Sequence, residues 1–198
     1  MTKDEVLAEF RGAGALWEGH FILASGLHSP IYLQKQLVFK YPDRTERLAR
    51  ALAEKITSSG HGPFDIVVSP AVGAIILGYE VARQMKLPAI FAEREGTNFI
   101  FKRGFAIDNG ARVLVVEDVI STGVSVRECV DAVRAAGGNP VLVACLIHRP
   151  ASNEELGVPL VPLVRLDIPA YPADKLPPEL ARIPAIKPGS RQQALGAA

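Results

Sequence analysis

This sequence predicts an α/β fold: a doubly wound, mostly parallel sheet with a small cap built from its N-terminal segment and C-terminal tail. Three observations carry that expectation. The strand-like runs around IVV, AIF, VLVV and VLVACLI are continuously apolar, so each needs cover on both faces. Helical patterns stand between those runs, which is the order of βαβ units. At 198 residues and 48% apolar, the chain has enough side chains for one two-sided core.

Taken in order, Thr2 to about Ala13 reads as a helix. Thr2 and Glu5 have capping-box spacing, and Val6, Leu7 and Phe10 form an apolar stripe. GHFILASGLHSPIYLQ, residues 19–34, mixes turn residues with β-rich pieces and predicts short strands or a hairpin. YPDRTERLARALAEKITSSG predicts a second helix. Asp43 or Thr45 would cap it, Leu48, Leu52 and Ile56 recur every four residues, and Gly60 ends it. FDIVVSP is a buried strand, AVGAIILGYEVARQMK a small-residue turn and helix, and LPAIFAERE a second buried strand. GTNFIFKRGFAIDNG reads as loop or hairpin. ARVLVVED is the third strand, TGVSVRECVDAVRAAGG a helix stopped by two glycines, NPVLVACLIHRP the fourth strand, and LVPLVRLDIPAYP one more. Beyond Tyr171, Pro and Ala predominate, and an irregular surface tail is expected. The organisation is therefore a helix and cap segment over 1–59, an α/β core over 60–168, and a tail over 169–198 packed on both.

Bulk properties narrow the function classes. Lys plus Arg is 22 against 21 for Asp plus Glu, a net charge of +1, so nothing favours nucleic-acid binding. The charged N-terminus MTKDEVLAEF has no apolar signal region and no run approaches a membrane span, so a cytoplasmic protein without membrane contact is expected. Cys129 and Cys145 have no metal-site spacing and read as reduced core residues.

The informative stretch is VLVVEDVISTGVS. Ligands of open parallel sheets bind beyond the carboxyl ends of the strands. Glu117 and Asp118 stand at such an end, and the following turn offers the hydroxyls of Ser121, Thr122 and Ser125 with a glycine, Gly123, before a helix. Turn N–H groups at a helix start favour a phosphate. Two adjacent carboxylates suit a ligand that also carries vicinal hydroxyls, which donate to them. Glu117 to Ser125, with Val119, Ile120 and Val124 between, thus reads as a surface for a ribose 5-phosphate. The plainer alternative is a strand end with solvated acids and an ordinary helix cap. Neither GxxxxGK[ST] nor GxGxxG is present, which excludes the P-loop and the dinucleotide fingerprint.

VLVVEDVISTGVS resembles the phosphoribosyl-pyrophosphate (PRPP) signature of the type I phosphoribosyltransferases. Within that family, GHFILASGLHSPIYLQ and LIHRP resemble segments of the orotate-using branch, and SPAVGAIILGYEVAR and FAERE sit where that branch has its pyrophosphate loop and the start of a mobile catalytic loop. The resemblance implies Mg²⁺-dependent transfer of ribose 5-phosphate from PRPP to orotate, giving orotidine 5′-phosphate and pyrophosphate in pyrimidine biosynthesis. It implies that Glu117 and Asp118 hold the ribose hydroxyls and that Ser121 to Ser125 enclose the 5-phosphate. Ser121 would also reach orotate, and Arg149 would meet the orotate carboxylate, for which a planar guanidinium is suited. Tyr32 would line the base pocket from the cap, the alternative being a plain core aromatic. His28 reads as structural. Magnesium would be held mainly by PRPP and pyrophosphate, with no dedicated protein cage.

The resemblance further implies a homodimer in which the catalytic loop serves the neighbouring site. Stabilisation of the departing pyrophosphate would fall to the loop cations Arg94, Lys102 and Arg103, with Gly96 and Gly104 as hinges, and Asp118 counts with them as a catalytic residue. The sequence departs from the family at three lysine positions, which here hold Ala24, Gly73 and Glu95. Lys102 and Arg103 are expected to replace the lost charge, or else form an exposed hairpin with solvated charges. Two further readings share the fold: a purine-type phosphoribosyltransferase, against which Arg149 and the cap segment argue, and a PRPP-sensing regulatory protein, against which the absent basic surface argues.

Overall fold

The computed structural model describes residues 1–23, 25–149 and 155–188. Helix α1 covers Lys3–Gly12 and begins with the capping box between Thr2 and Glu5. Strands β1 (Leu16–Ile22) and β2 (His28–Leu33) form an antiparallel hairpin. A short helix, α2 (Gln36–Phe39), which the sequence pattern did not reveal, follows β2 and sinks Val38 and Phe39 into the core. Helix α3 runs over Pro42–Ser58 with Leu48, Leu52 and Ile56 fully buried.

Neither Asp43 nor Thr45 caps α3. Its N-cap is Tyr41, with no side-chain cap bond, and Pro42 opens the first turn. A proline there has no N–H needing a cap and already has helical φ. The Thr45 hydroxyl instead donates back to the Tyr41 carbonyl at 3.0 Å.

The central sheet then builds from β3 (Ile66–Pro70), β4 (Ala89–Glu95), β5 (Asn98–Ile100), β6 (Arg112–Ile120), β7 (Asn139–His148) and β8 (Leu160–Arg165), in the order β5-β4-β3-β6-β7-β8. All neighbours are parallel except the β4–β5 hairpin at one edge. Helix α4 (Ile75–Met85) links β3 to β4, and α5 (Val124–Ala135) links β6 to β7. One core cluster joins α3, α4 and the cap residues Val6, Phe10, Leu33 and Phe39 to one face of the sheet. The other face is closed by α5 with Phe99 and Ile107. This is the doubly wound α/β arrangement, with β6 running two residues past the acids to Ile120.

The segment after β8 is more ordered than the irregular tail expected. It contains a short helix, α6 (Pro178–Ala181), and it pairs with the cap hairpin. Tyr171 bridges to His28, and Ile186 to Phe21. His20 and His28 meet beside these bridges with their rings tilted, His20 Nε2 2.6 Å from His28 Nδ1 and His20 Nδ1 2.8 Å from the Ile183 carbonyl. Positions 24, 150–154 and 189–198, which include Ala24, Pro150 and the end of the expected tail, lie outside the described residues.

Candidate active site

Strand β6 delivers Glu117 and Asp118 to the carboxyl edge of the sheet, between β3 and β7. Both are buried, at 7% and 1% exposed, which sets them apart from solvated strand-end acids. Their inner oxygens are committed to protein. Glu117 Oε1 accepts from the Asp118 N–H at 3.0 Å, and Asp118 Oδ1 accepts from the Val119 N–H at 2.6 Å. Lys35, at the start of α2, donates to the same Oδ1 at 2.8 Å. Asp118 Oδ2 is buried without a partner. A buried carboxylate oxygen left unpaired is costly unless a ligand supplies the donor.

The electrostatics follow from burial. Glu117 is held above the usual carboxylate range, first by burial and then by the charge of Asp118. Burial alone would lower the Lys35 ammonium, but the charge and hydrogen bond of Asp118 outweigh it and raise its pKa overall. Cys129 and Cys145 are buried free thiols raised by burial and secondarily by Glu117, so they stay protonated and are poor nucleophiles.

The turn beyond β6 places Ser121 in solvent and Thr122 half-buried. Gly123 is the N-cap of α5 at φ 73°, and Val124 and Ser125 begin its first turn, both exposed. That φ belongs to glycine, because a side chain there would be strained. The 12-residue α5 thus points its free N–H groups at the open side of the turn.

Opposite this turn, Gly73 sits in the β3–α4 connection, where the Ala71–Val72 peptide is cis. A Cβ at position 73 would lie 2.6 Å from Asp118 Oδ2. The Gln36 side-chain amide donates to the Gly73 carbonyl at 3.1 Å, tying the cap to this loop.

Arg149 follows β7. Its N–H donates to the Ile120 carbonyl at 2.7 Å, so it stands beside the start of the turn. Its Nη2 lies 3.5 Å from Ser29 Oγ on β2, and its Nε is buried without a partner. Burial lowers its pKa. A guanidinium with an unmatched inner donor is suited to an incoming carboxylate. Tyr32, half-buried on β2, packs beside Trp17 and Phe21, with ring centroids 5.6 and 5.7 Å away.

Glu117, Asp118, the turn to Ser125 and Arg149 therefore come together. The loop cations are engaged elsewhere. Arg94, on β4, pairs with Glu128 of α5 at 2.6 Å and lies over the Phe99 ring. Beyond β5, Lys102 pairs with Glu95 at 2.9 Å and Arg103 with Glu93 at 2.7 Å. Sequence reasoning missed Lys35, Gln36 and Ser29. Lys35 is 83 positions from its partner Asp118, and a lone lysine in LQKQ carries no signal for it.

Fold and site together define a type I phosphoribosyltransferase. A family model described as the Phosphoribosyl transferase domain matches residues 41–156. The orotate phosphoribosyltransferase of Phenylobacterium zucineum (strain HLK1) is 60% identical over 192 residues, covering 97% of this chain and 98% of that protein. That of Parvibaculum lavamentivorans is 55% identical, covering 98% and 100%. Among solved structures, the fold is similar to orotate phosphoribosyltransferase from Aeropyrum pernix, with TM-score 0.70, 23% identity, and 81% and 93% of the two chains covered. The chain belongs to the orotate phosphoribosyltransferase family.

Proposed function

We propose that this chain transfers the ribose 5-phosphate group of PRPP to a ring nitrogen of orotate, releasing pyrophosphate. The observation that carries this reading is the buried acid pair on β6 with Asp118 Oδ2 unpartnered, beside a hydroxyl-lined turn at the start of α5. Asp118 and Glu117 accept the ribose hydroxyls, and Ser121 to Ser125 with the α5 N–H groups hold the 5-phosphate. Ser121 also reaches orotate. Arg149, braced on β2 through Ser29, takes the orotate carboxylate. The reaction needs no protein nucleophile, in keeping with two buried, protonated thiols.

As the anomeric bond breaks, negative charge grows on the pyrophosphate. Arg94, Lys102 and Arg103 supply the compensating cations once the loop leaves its resting ion pairs and closes out water. Mg²⁺ fits this site as part of the substrate complex. Among the described residues no group of three or more His, Cys, Asp or Glu is placed to hold a metal, and the ion would arrive on PRPP, beside the hard oxygens of Glu117 and Asp118. Bound there, the metal neutralises phosphate charge.

The working form in this reading is a homodimer. Val72, Ile76 and Tyr79 expose apolar surface beside a groove of about 500 Å³ between α4 and β4, floored by Phe91 and Phe105. Phe105 borders the cation loop, so a second copy covering this face meets that loop. No helix among the described residues is long and apolar enough to cross a membrane. The reading places the enzyme in the cytoplasm, in pyrimidine biosynthesis.

The test is to mix protein, Mg²⁺, PRPP and orotate and follow the loss of orotate absorbance, with adenine and hypoxanthine as competing acceptors. Turnover with orotate alone is the expected result. Turnover only with a purine base, or PRPP binding without turnover, would replace the reading.

A further inference from the structure

Gly73 and Lys35 meet at the same carboxylate. A Cβ at 73 would stand 2.6 Å from Asp118 Oδ2, so the site in this arrangement excludes any side chain there, a lysine included. The family resemblance places a lysine at that position, in the pyrophosphate loop. Its charge is missing from the loop, but a charge is present. Lys35 Nζ reaches Asp118 Oδ1 at 2.8 Å from the cap side. The next residue, Gln36, donates to the Gly73 carbonyl at 3.1 Å, so residues 35 and 36 both lie against the 71–74 loop. Helix α2 fixes them there, because Val38 and Phe39 are buried one turn further on.

We propose that Lys35 binds the phosphates of PRPP, taking over from the cap the charge that a pyrophosphate-loop lysine would supply. The proposal rests on the PRPP reading above. Three features favour it over a purely structural pair. Asp118 is 2% exposed at its side chain but Lys35 is 33% exposed, so the pair opens to solvent on the lysine side only. An ammonium has three donors, and Oδ1 takes one. The lysine holds only Oδ1, and Oδ2, on the other side of the carboxylate against Gly73, is buried with no protein donor of its own. PRPP binding then lets the ammonium remain close to Asp118 and add a phosphate oxygen. Net upward displacement of the Lys35 pKa keeps it charged at neutral pH.

The test separates binding from architecture. Lys35→Gln keeps a donor for Asp118 and removes the charge. Lys35→Met removes both, and Lys35→Arg keeps the charge. For each, the KM of PRPP, the Ki of pyrophosphate, the KM of orotate and the thermal midpoint are measured. In Lys35→Gln the PRPP KM and the pyrophosphate Ki should rise together by about 10-fold or more, the loss of one charge-assisted contact. The orotate KM should change less than about 2-fold and Lys35→Arg should recover most of the loss. An unchanged PRPP KM in folded Lys35→Gln overturns the proposal. So does a parallel rise in the PRPP and orotate constants, which is what loosening the cap produces. If one neutral variant fails to fold, the other decides. Wild-type protein that turns over no orotate defeats the functional reading instead, so the two failures are distinct.

Discussion

At the scale of single residues, Glu117 is the group whose position opposes its charge. Burial, then Asp118, holds its folded pKa above the ordinary 4.5. The folded state therefore keeps a proton that the unfolded chain has already lost. Its contribution to stability is complete below the ordinary carboxylate range and is lost as pH rises through the folded pKa. Glu117→Gln keeps the acceptor for the Asp118 N–H without that charge. It should melt above wild type at pH 8 by a few degrees, about 2–4 °C for each kcal/mol in a chain of this size, with the gap closing at pH 5. Calorimetry at the two pH values checks this, and a variant that melts no higher than wild type at pH 8 contradicts it. PRPP affinity should fall in the same protein. Two adjacent acids are visible in any reading of EDVISTGVS. The brace that orients them is not, because Lys35, Gln36 and Gly73 become neighbours only through the packing of the cap on the core. Nor does the spacing of YPDRT show that Pro42 opens α3 and leaves Asp43 without a capping role.

At the scale of the element, the β4–β5 hairpin and the loop to Gly104 form a poised rather than a fixed unit. Lys102 and Arg103 are held by solvent-exposed ion pairs with Glu95 and Glu93, which water and salt screen, so releasing them costs little. Arg103 sits at φ 59°, a region uncommon for a residue with a side chain, and Gly96 and Gly104 flank the segment at φ 60° and 77°. A loop pinned this lightly can exchange its carboxylates for phosphate oxygens. Replacing Lys102 and Arg103 together with alanine should lower kcat by about 100-fold or more while the melting temperature moves by no more than about 2 °C. Near-normal turnover would sink the idea that these two residues replace the missing lysines. The sequence shows the cations and the glycines, since FKRGF is plain to read. It does not show their resting partners, because a Lys or Arg on an exposed hairpin can pair with several nearby acids and only the β4–β5 register selects among them.

At the scale of the molecule, continuous apolar strands separated by amphipathic helices give the parallel sheet, and that much is legible in the pattern of side chains. The sheet's strand order and the closure of one face by α5 depend on long-range pairing that no local window contains. The same scale holds the test of the shared loop. If each subunit's loop serves its neighbour's site, co-expressing the double-alanine loop variant with an Asp118→Asn variant creates mixed dimers with one intact site. Random pairing predicts recovery of about one quarter of wild-type activity. Activity no greater than the sum of the two parents would show that each subunit works alone. The bridges from Tyr171 and Ile186 to the cap hairpin have a separate consequence in time. The hairpin that carries Ser29 emerges early from the ribosome, yet the backbone that completes it is translated more than a hundred residues later. The cap hairpin therefore cannot complete its backbone pairing until residues 171 and 186 have been made, so any truncation that removes them leaves its edge unpaired.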